Sequence, residues 1–364
     1  MRVLFVSEAL ESRTGPAARV LGFCTAIEEA GHHVVLVSPG RSDSDTVTRR
    51  LRVIQYRAPT RVLRYAGMVS GVLRMFREFR PQVLQVTSYY APILIPLARM
   101  LSVPSVSDYH ASLRAMERSF LIHLANAVVE ERTLETADLT IVPTRLLSLY
   151  LFRRYGRNSV VVPNCIDLRD FRPVDSRSAV FRELEIPDGA KVIFFHGSPY
   201  PENLEALSRL TKMVEEMNDR GVPTVALVAG ALPAASHQSV RFLGYKDDLA
   251  TYISAADLAM LPVTISEMGV RSRVVEYLAC GLPVVTTPSG ATGMDEAVRR
   301  GFVLVGKHDV ELIGAARSIF ALDRNENKKL RGETRRFAEE KFAPSRAARQ
   351  LEELYRAMIM REGS

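Results

Sequence analysis

The chain lacks tryptophan and has only three cysteines, Cys24, Cys165 and Cys280, none of them in a CxxC pair. Cysteines this few and this scattered exclude a disulfide framework and favour a reducing compartment. No apolar run approaches the roughly 18 residues of a membrane-spanning helix. The best candidate, residues 89–98, contains two prolines. The N-terminal apolar run meets Glu8 too early for a signal peptide, so we expect a cytoplasmic protein.

Motifs of several enzyme classes are also absent. The sequence has no HExxH, no clustered cysteine and histidine, no P-loop and no GxSxG turn. These absences exclude zinc peptidases, P-loop NTPases and hydrolases built on a nucleophile elbow.

Lysine is missing from the first 170 residues, where 22 arginines face 15 acidic residues. The rest of the chain is balanced, with 26 basic and 26 acidic residues, so the formal net charge of +7 lies in the first half. A basic surface favours anionic partners, and arginine suits phosphate. A GC-rich genome is the alternative explanation, but it does not account for the balanced second half. Nucleic acid is not expected as a partner, because aromatic residues make up only 7% of the chain.

Short apolar runs alternate with helical stretches along the whole chain. Residues 2–7 and 33–37 enclose a helical stretch at 17–30, and the pattern restarts at 192–195 after a polar, turn-rich break at 170–190. Strands that alternate with helices predict parallel sheets covered on both faces. We therefore predict an α/β protein of two doubly wound, Rossmann-like domains that face a cleft, with ligands at the carboxyl ends of the strands.

The most specific segment is residues 266–287. Gly269 precedes a helix that starts near Ser272, with Arg271 and Arg273 at its N-terminus and Glu276 one turn further on. Free amides, the helix dipole and two arginines attract phosphate, while a carboxylate can accept hydrogen bonds from the vicinal hydroxyls of a ribose. The pattern indicates a nucleoside diphosphate site. On spacing alone, a surface Arg–Glu pair on an ordinary helix is an equal alternative.

This segment resembles the donor-site signature of retaining GT-B glycosyltransferases of the GT4-type family (glycosyl transferases group 1). Further segments carry the resemblance in the same order: the N-terminal strand with its small-residue loop, then residues 130–142, 162–173, 195–197, 241–257 and 346–359. The resemblance implies an acceptor-side domain over 1–168 and a nucleotide-sugar donor domain over 169–340. It also implies a final helix over 341–364 that crosses back to the first domain.

Carried over residue by residue, the resemblance implies three catalytic candidates. Glu276 would hold the ribose hydroxyls, and Arg273, with Arg271, would neutralise the diphosphate. His110 lies where such enzymes keep a histidine near the transferred sugar, with a purely structural histidine as the alternative. The remaining donor-binding candidates would bring backbone amides close to the donor or flank its base: Gly15, Gly197, Arg241, Gly244, Met268, Gly269 and Val270.

The sequence departs from the family pattern at several positions. Met268 stands where the common pattern has the first of two glutamates, so the donor sugar is not implied. Gly269 to Glu276 instead resembles a subgroup written G-x-R-x-[KR]-x-x-E. Cys165 replaces a usual glycine, the N-terminal loop has no paired glycine, and residues 198–203 lack the basic residues that many relatives place on the diphosphate. Arg271 and Arg273 would then carry more of the positive charge.

The implied activity is that of a hexosyltransferase-type enzyme that displaces a nucleoside diphosphate at an anomeric carbon with retention. No cofactor and no metal are expected. Asp43-Ser44-Asp45 forms a DxD string, the metal signature of a different glycosyltransferase fold, but its polar surroundings favour a solvated turn. Two alternatives remain: a nucleotide-sugar 2-epimerase using His110 and His196, and a non-catalytic GT-B partner subunit.

The acceptor is poorly specified by the sequence. The expected partners are a nucleotide sugar and a hydroxyl acceptor that is lipid-linked, part of an envelope polysaccharide, or a small molecule. The helix predicted at 62–79 mixes apolar residues with arginines. Such a helix either covers the sheet, which we favour, or touches an anionic membrane at the inner face of the plasma membrane.

Overall fold

The computed structural model describes residues 1–7, 15–39, 51–56, 61–87, 91–110, 120–233, 237–265 and 269–362. The chain divides into two compact units, Met1–Cys165 with Pro344–Ser364, and Ile166–Ala343. These boundaries lie a few residues from the domain boundaries set on the sequence. Each unit contains one sheet of parallel strands with helices around it, as the alternating pattern predicts.

The first unit contains a seven-stranded sheet in the order β3-β2-β1-β4-β5-β6-β7. Its strands are β1 (Arg2–Val6), β2 (His33–Pro39), β3 (Arg52–Tyr56), β4 (Val83–Thr87), β5 (Ser105–Asp108), β6 (Leu139–Val142) and β7 (Val160–Val161). Its helices are α1 (Gly15–Glu29), α2 (Arg61–Glu78), α3 (Ala91–Met100), α4 (Phe120–Thr136), α5 (Arg145–Tyr155) and the C-terminal α13 (Pro344–Glu362).

Strand β1 shows why this sheet is covered on both faces. Val3 and Phe5 pack into a core with α1 and α13, whereas Leu4 and Val6 pack into a second core with α2 and α3. Successive side chains of a strand point to opposite faces, so a continuous apolar run buries residues on both. The final helix predicted over 341–364 begins instead at Pro344, because proline lacks an N–H and starts a new helix after the preceding one ends at Phe342.

The second unit contains a six-stranded parallel sheet in the order β10-β9-β8-β11-β12-β13. Its strands are β8 (Lys191–His196), β9 (Thr224–Ala229), β10 (Val240–Gly244), β11 (Leu258–Leu261), β12 (Val284–Thr286) and β13 (Val303–Val305). Its helices are α6 (Arg177–Glu183), α7 (Pro201–Asp219), α8 (Leu249–Ala255), α9 (Ser272–Ala279), α10 (Asp295–Arg299), α11 (Asp309–Phe320) and α12 (Arg324–Phe342).

The strand order of the second unit reverses between β8 and β11, which lie side by side. The chain moves from β8 to one edge of the sheet, and then returns to place β11 on the other side of β8. Ligands of such sheets bind at the carboxyl ends of the strands at this switch point. Helix α7 follows β8 and helix α9 follows β11, so the first turns of both helices lie near the switch point.

None of the helices within the described ranges is both long and apolar enough to cross a bilayer.

Candidate functional site

Helix α9 begins at Ser272, as the sequence predicts, and it carries the candidate donor-site residues at the switch point of the second sheet. Arg271 occupies the N-cap position, and its side chain does not cap the helix. The first-turn amide of Val274 donates to the main-chain oxygen of Arg271. Within the described ranges the amides of Ser272 and Arg273 donate to no acceptor, so they are available to an anion, and the positive end of the helix dipole adds to their attraction. Val270 packs against the core of the unit, while Met268 lies outside the described residues.

Arg273 is held by two neutral oxygens. Its Nη1 donates to the main-chain oxygen of His196 at 2.6 Å, and its Nη2 donates to Oδ1 of Asn203 at 2.8 Å. The guanidinium lies 5.6 Å from the ring centroid of Phe195. Burial lowers the pKa of Arg273 from its usual value, although an arginine stays charged in proteins. The site thus contains a positive charge whose hydrogen-bond acceptors are uncharged.

Arg271 has a different environment. Its Nη1 and Nη2 donate to the two carboxylate oxygens of Glu202 at 2.9 and 2.5 Å, and Nη2 also donates to the main-chain oxygen of Ile265. Both side chains of the pair are largely buried. The charge of Arg271 is therefore largely offset by Glu202, and the two arginines of the motif are not equivalent.

Glu276 lies one turn into α9 and is also largely buried. Its Oε2 atom is inaccessible and accepts no hydrogen bond within the described part of the chain. Nε2 of His196 lies 2.9 Å from this oxygen, close enough for electrostatic attraction but without the alignment of a hydrogen bond. A buried carboxylate oxygen without a hydrogen-bond donor is costly, so Oε2 is expected to turn toward the nearby imidazole. The side chain keeps 15% of its surface exposed, which leaves the rest of the carboxylate to a ligand that supplies hydroxyl groups.

Glycines end the three strands on one side of the switch point. Gly197 follows β8, Gly230 follows β9 and Gly244 ends β10. A Cβ at Gly230, where φ is +105°, would lie 2.1 Å from the main-chain oxygen of Gly197, and one at Gly197 would lie 3.1 Å from Nη1 of Arg273. At Gly230 only glycine fits this packing. The three glycines leave the strand ends without side chains where a ligand would approach.

Two predicted donor-site residues are not part of this cluster. Nε of Arg241 donates to the main-chain oxygen of Leu184 at 3.2 Å, and Nη1 donates to that of Gln238 at 2.8 Å. Gln238 precedes β10, so this guanidinium points toward the amino end of the strand, and its contact with the base stays a prediction. Gly15 belongs to the first unit, where it begins α1, and the residues just before it lie outside the described ranges.

In the first unit, His110 lies two residues beyond the buried Asp108 that ends β5. Its Nδ1 is inaccessible, has no hydrogen-bond partner within the described ranges, and lies 4.0 Å from Oδ1 of Asp108. Nε of Arg19 donates to both oxygens of Asp108, at 3.0 and 3.2 Å. Burial alone would raise the pKa of Asp108, but the charge of Arg19 and the neighbouring His110 reverse this and hold it below the usual value.

This buried pair gives a prediction for stability. Asp108→Ala leaves the Arg19 charge buried and uncompensated, and we expect a loss of about 3–5 kcal/mol in the free energy of unfolding. Because the folded-state pKa of Asp108 is depressed, its contribution is present above the unfolded pKa of about 4 and is lost as the pH falls further. Urea unfolding at pH 7 and at pH 3 measures both effects.

The exposed Asp219 provides the matched control. Asp219→Ala should leave the urea midpoint unchanged, and the double variant Arg19→Met with Asp108→Leu should recover much of the lost stability, because it leaves no unpaired charge. A midpoint for Asp108→Ala equal to that of wild type at pH 7 would contradict the assignment.

Sequence reasoning missed three residues of the site and named His196 only for the epimerase alternative. The missed residues are Glu202 and Asn203, which hold the two arginines, and Tyr277, which with His196 lies beside Glu276. Pro201 followed by an acidic residue signals the start of α7, but nothing in the local pattern says which distant side chains face it. No cluster of three or more potential metal ligands occurs in the parts of the chain that the structure describes, and the DxD string lies outside them.

Comparison with known proteins assigns this chain to a family. The model of Glycosyltransferase Family 4 matches residues 13–170, and that of Glycosyl transferases group 1 matches residues 190–321. Together they span more than half of the chain. The chain belongs to glycosyltransferase family 4. The GT4-type resemblance drawn from the sequence is thereby confirmed.

Curated relatives of this family 4 member include two named D-inositol 3-phosphate glycosyltransferases. The one from Catenulispora acidiphila is 32% identical over 212 residues, which are 51% of this chain and 48% of the relative. The one from Mycobacterium marinum is 28% identical over 331 residues, which are 81% of this chain and 67% of the relative. The chain thus spans about half to two thirds of the length of these relatives.

Solved structures share the fold over almost the whole chain. Sucrose-phosphate synthase from Thermosynechococcus elongatus has a TM-score of 0.79 at 18% identity and covers 99% of both chains. Anabaena HepE in complex with UDP has a TM-score of 0.76 at 17% identity, covering 98% of this chain and all of the other. The expected GT-B fold of two Rossmann-like domains is confirmed. At these identities the likeness concerns the fold alone.

Proposed function

We propose that this family 4 member is a retaining, metal-independent glycosyltransferase that moves a sugar from a nucleotide-diphosphate sugar to a hydroxyl acceptor. The observation that carries the proposal is that Arg273 and Glu276 lie one turn apart on the same helix at the switch point. Arg273 offers a charge to a diphosphate, and the partly exposed carboxylate of Glu276 offers acceptors to ribose hydroxyls. The diphosphate and the ribose of a nucleoside diphosphate thus each have a complementary side chain on this helix.

The proposed reaction follows from the chemistry of the leaving group, a nucleoside diphosphate. The bond between the anomeric carbon and the β-phosphate oxygen breaks, a bond from that carbon to the acceptor oxygen forms on the same face, and the acceptor proton passes to an oxygen of the leaving phosphate. Negative charge builds on the diphosphate as the bond breaks. Arg273 and the free amides of α9 stabilise that charge, which is electrostatic catalysis by groups already in place.

His110 is the candidate of the first unit. Its largely buried position at the end of β5, beside the Arg19–Asp108 pair, fixes the ring near a strand end, where ligands of parallel sheets bind. We propose that it contacts the transferred sugar, as the family resemblance implies.

The comparisons suggest which donor and acceptor to try first. UDP is the first nucleotide, because HepE is solved with it. D-inositol 3-phosphate is the first acceptor, because both relatives are named for it and the net charge of +7 in the first half suits an anionic acceptor. Lipid-linked and polysaccharide acceptors are the next candidates.

The place of action is also a proposal. All three cysteines are buried, and their small number suits the reducing cytoplasm. Met68, Val72 and Met75 of α2 pack into the core, which favours the sheet-covering interpretation of this helix over membrane contact.

The test is a transfer assay with UDP-sugars, GDP-sugars and ADP-sugars, in EDTA and in magnesium, that follows release of the nucleoside diphosphate. We expect one donor class to be consumed equally in both buffers. Proton NMR of the product should show the anomeric configuration of the donor. Activity abolished by EDTA or an inverted product would contradict the proposed mechanism, and binding without turnover would favour a non-catalytic subunit.

A further inference from the structure

We infer that His196 is a positioning residue: Tyr277 fixes the tautomer of its imidazole, and the imidazole in turn orients the Glu276 carboxylate toward the ribose. This inference rests on the proposed function of Glu276 as the ribose-binding carboxylate. It adds two residues that do not touch the donor but decide how the carboxylate is presented.

The first step is the hydrogen-bond pattern of Tyr277, whose side chain is fully buried. The main-chain N–H of His196 donates to the phenol oxygen at 3.2 Å, and Nδ1 of the same histidine lies 3.0 Å from that oxygen. Burial raises the pKa of Tyr277 far above its usual value, so the phenol keeps its hydrogen. Among the described residues, Nδ1 is the acceptor within reach of that hydrogen.

The contact with Tyr277 determines the tautomer of the His196 imidazole. If Nδ1 accepts the phenol hydrogen, the neutral ring carries its own hydrogen on Nε2. Nε2 lies 2.9 Å from Oε2 of Glu276, so an N–H faces the carboxylate. In the opposite tautomer, a lone pair would face a negative oxygen and the buried phenol would have no acceptor for its hydrogen. The arrangement of Tyr277 therefore selects the tautomer that attracts Glu276.

Packing against aromatic rings also holds the His196 imidazole in place. The imidazole packs edge-on against the ring of Tyr277, with centroids 5.3 Å apart at 87°, and it also contacts the ring of Phe194. The main-chain oxygen of His196 accepts from Nη1 of Arg273. A single residue thus connects the ribose carboxylate with the phosphate-binding arginine, and a small rotation of the carboxylate would align it with Nε2–H.

A carboxylate that is anchored before the donor arrives loses less freedom on binding. Once that rotation lets Oε2 accept from Nε2–H, its remaining lone pair and the other oxygen can accept the two vicinal hydroxyls of a ribose. The consequence is specific: loss of the anchor should weaken binding of ribonucleotides more than binding of 2′-deoxynucleotides, which keep only one of the two hydroxyl contacts.

The experiment is calorimetric titration of the full chain with UDP, GDP and ADP and with their 2′-deoxy counterparts. The variants are His196→Ala, His196→Gln and Tyr277→Phe. The matched controls are His237→Ala, which removes a histidine paired with Glu215 on the surface, and Tyr252→Phe, which removes a tyrosine–carboxylate hydrogen bond elsewhere in the unit.

We expect His196→Ala to weaken binding of the preferred ribonucleotide about tenfold, the size of one hydrogen bond to a charged group, while the dissociation constant of the deoxynucleotide changes by a clearly smaller factor. His196→Gln should recover part of the loss, because its side-chain amide can donate to Glu276. Tyr277→Phe should lose part of the affinity, since both tautomers then become accessible. The two controls should bind like wild type.

Equal losses for ribonucleotide and deoxynucleotide would show a merely structural role and overturn the inference. Unchanged binding in His196→Ala, with a wild type that still prefers ribose, would overturn it while leaving the proposed function intact. Failure of the wild type to bind any of the nucleotides would overturn the proposed function and, with it, this inference.

Discussion

Glu276→Gln should weaken binding of the donor nucleotide about 10- to 150-fold, the range expected for hydrogen bonds to a charged group. A carboxylate accepts from two hydroxyls, whereas an amide offers one accepting oxygen and sets an N–H₂ against either a hydroxyl or Nε2 of His196. The Oε2 atom is buried, so water cannot replace the lost interaction. Calorimetry with the free nucleoside and with its diphosphate measures the effect.

Because Glu276 is assigned to the ribose, its substitution should weaken the nucleoside and the diphosphate by the same factor. Glu216→Gln is the control, since that carboxylate forms only an i, i+4 pair with Arg220 on the exposed face of α7. Affinities in Glu276→Gln equal to those of wild type would show that the ribose assignment is wrong.

Arg273→Ala should have the second large effect, a loss of about 100- to 1,000-fold in kcat/KM, typical of removing one group that stabilises developing negative charge. The guanidinium is bound by uncharged oxygens of His196 and Asn203, so its charge is available to a diphosphate. Arg273→Lys should recover little, because a single ammonium cannot reproduce both contacts of the planar fork.

Binding of the free nucleoside distinguishes the effect of Arg273→Ala from that of Glu276→Gln. Arg273→Ala should bind the free nucleoside as wild type does and lose affinity only for the diphosphate. Arg271 supplies the comparison: Arg271→Ala should mainly lower stability, because it leaves the buried carboxylate of Glu202 without its partner. Equal effects of Arg271→Ala and Arg273→Ala on donor affinity would contradict the distinction between them.

The sequence predicted the fold well where apolar runs and helix signals agree. Helix α9 begins at Ser272, where the sequence predicts its start. Strand β3 at the sheet edge was missed, because Arg52 and Gln55 interrupt its apolar run. Helix α5 was missed as well, although Thr144 caps its first turn and Gly156 follows its end. Propensity and spacing describe local structure, and edge elements carry the weakest pattern.

In the candidate site, too, local sequence patterns identified some residues and not others. Arg271, Arg273 and Glu276 could be identified because they lie within two helical turns of each other and match a family motif. Their partners could not, since Glu202 and Asn203 are about 70 residues away in sequence and meet the arginines only through the parallel sheet. Spacing alone therefore suggested two equivalent arginines, whereas long-range pairing distinguishes them.

The central claim is that the Arg273–Glu276 cluster binds a nucleoside diphosphate without metal. Thermal unfolding of wild type and Glu276→Ala with UDP, GDP, ADP, dTDP and CMP, in EDTA, tests it most directly. One nucleotide at about 100 times its Kd should add roughly 2.7 kcal/mol and raise the Tm of wild type by several degrees. Glu276→Ala should show no such rise. No shift with any of these nucleotides, or an equal shift in both proteins, would contradict the account.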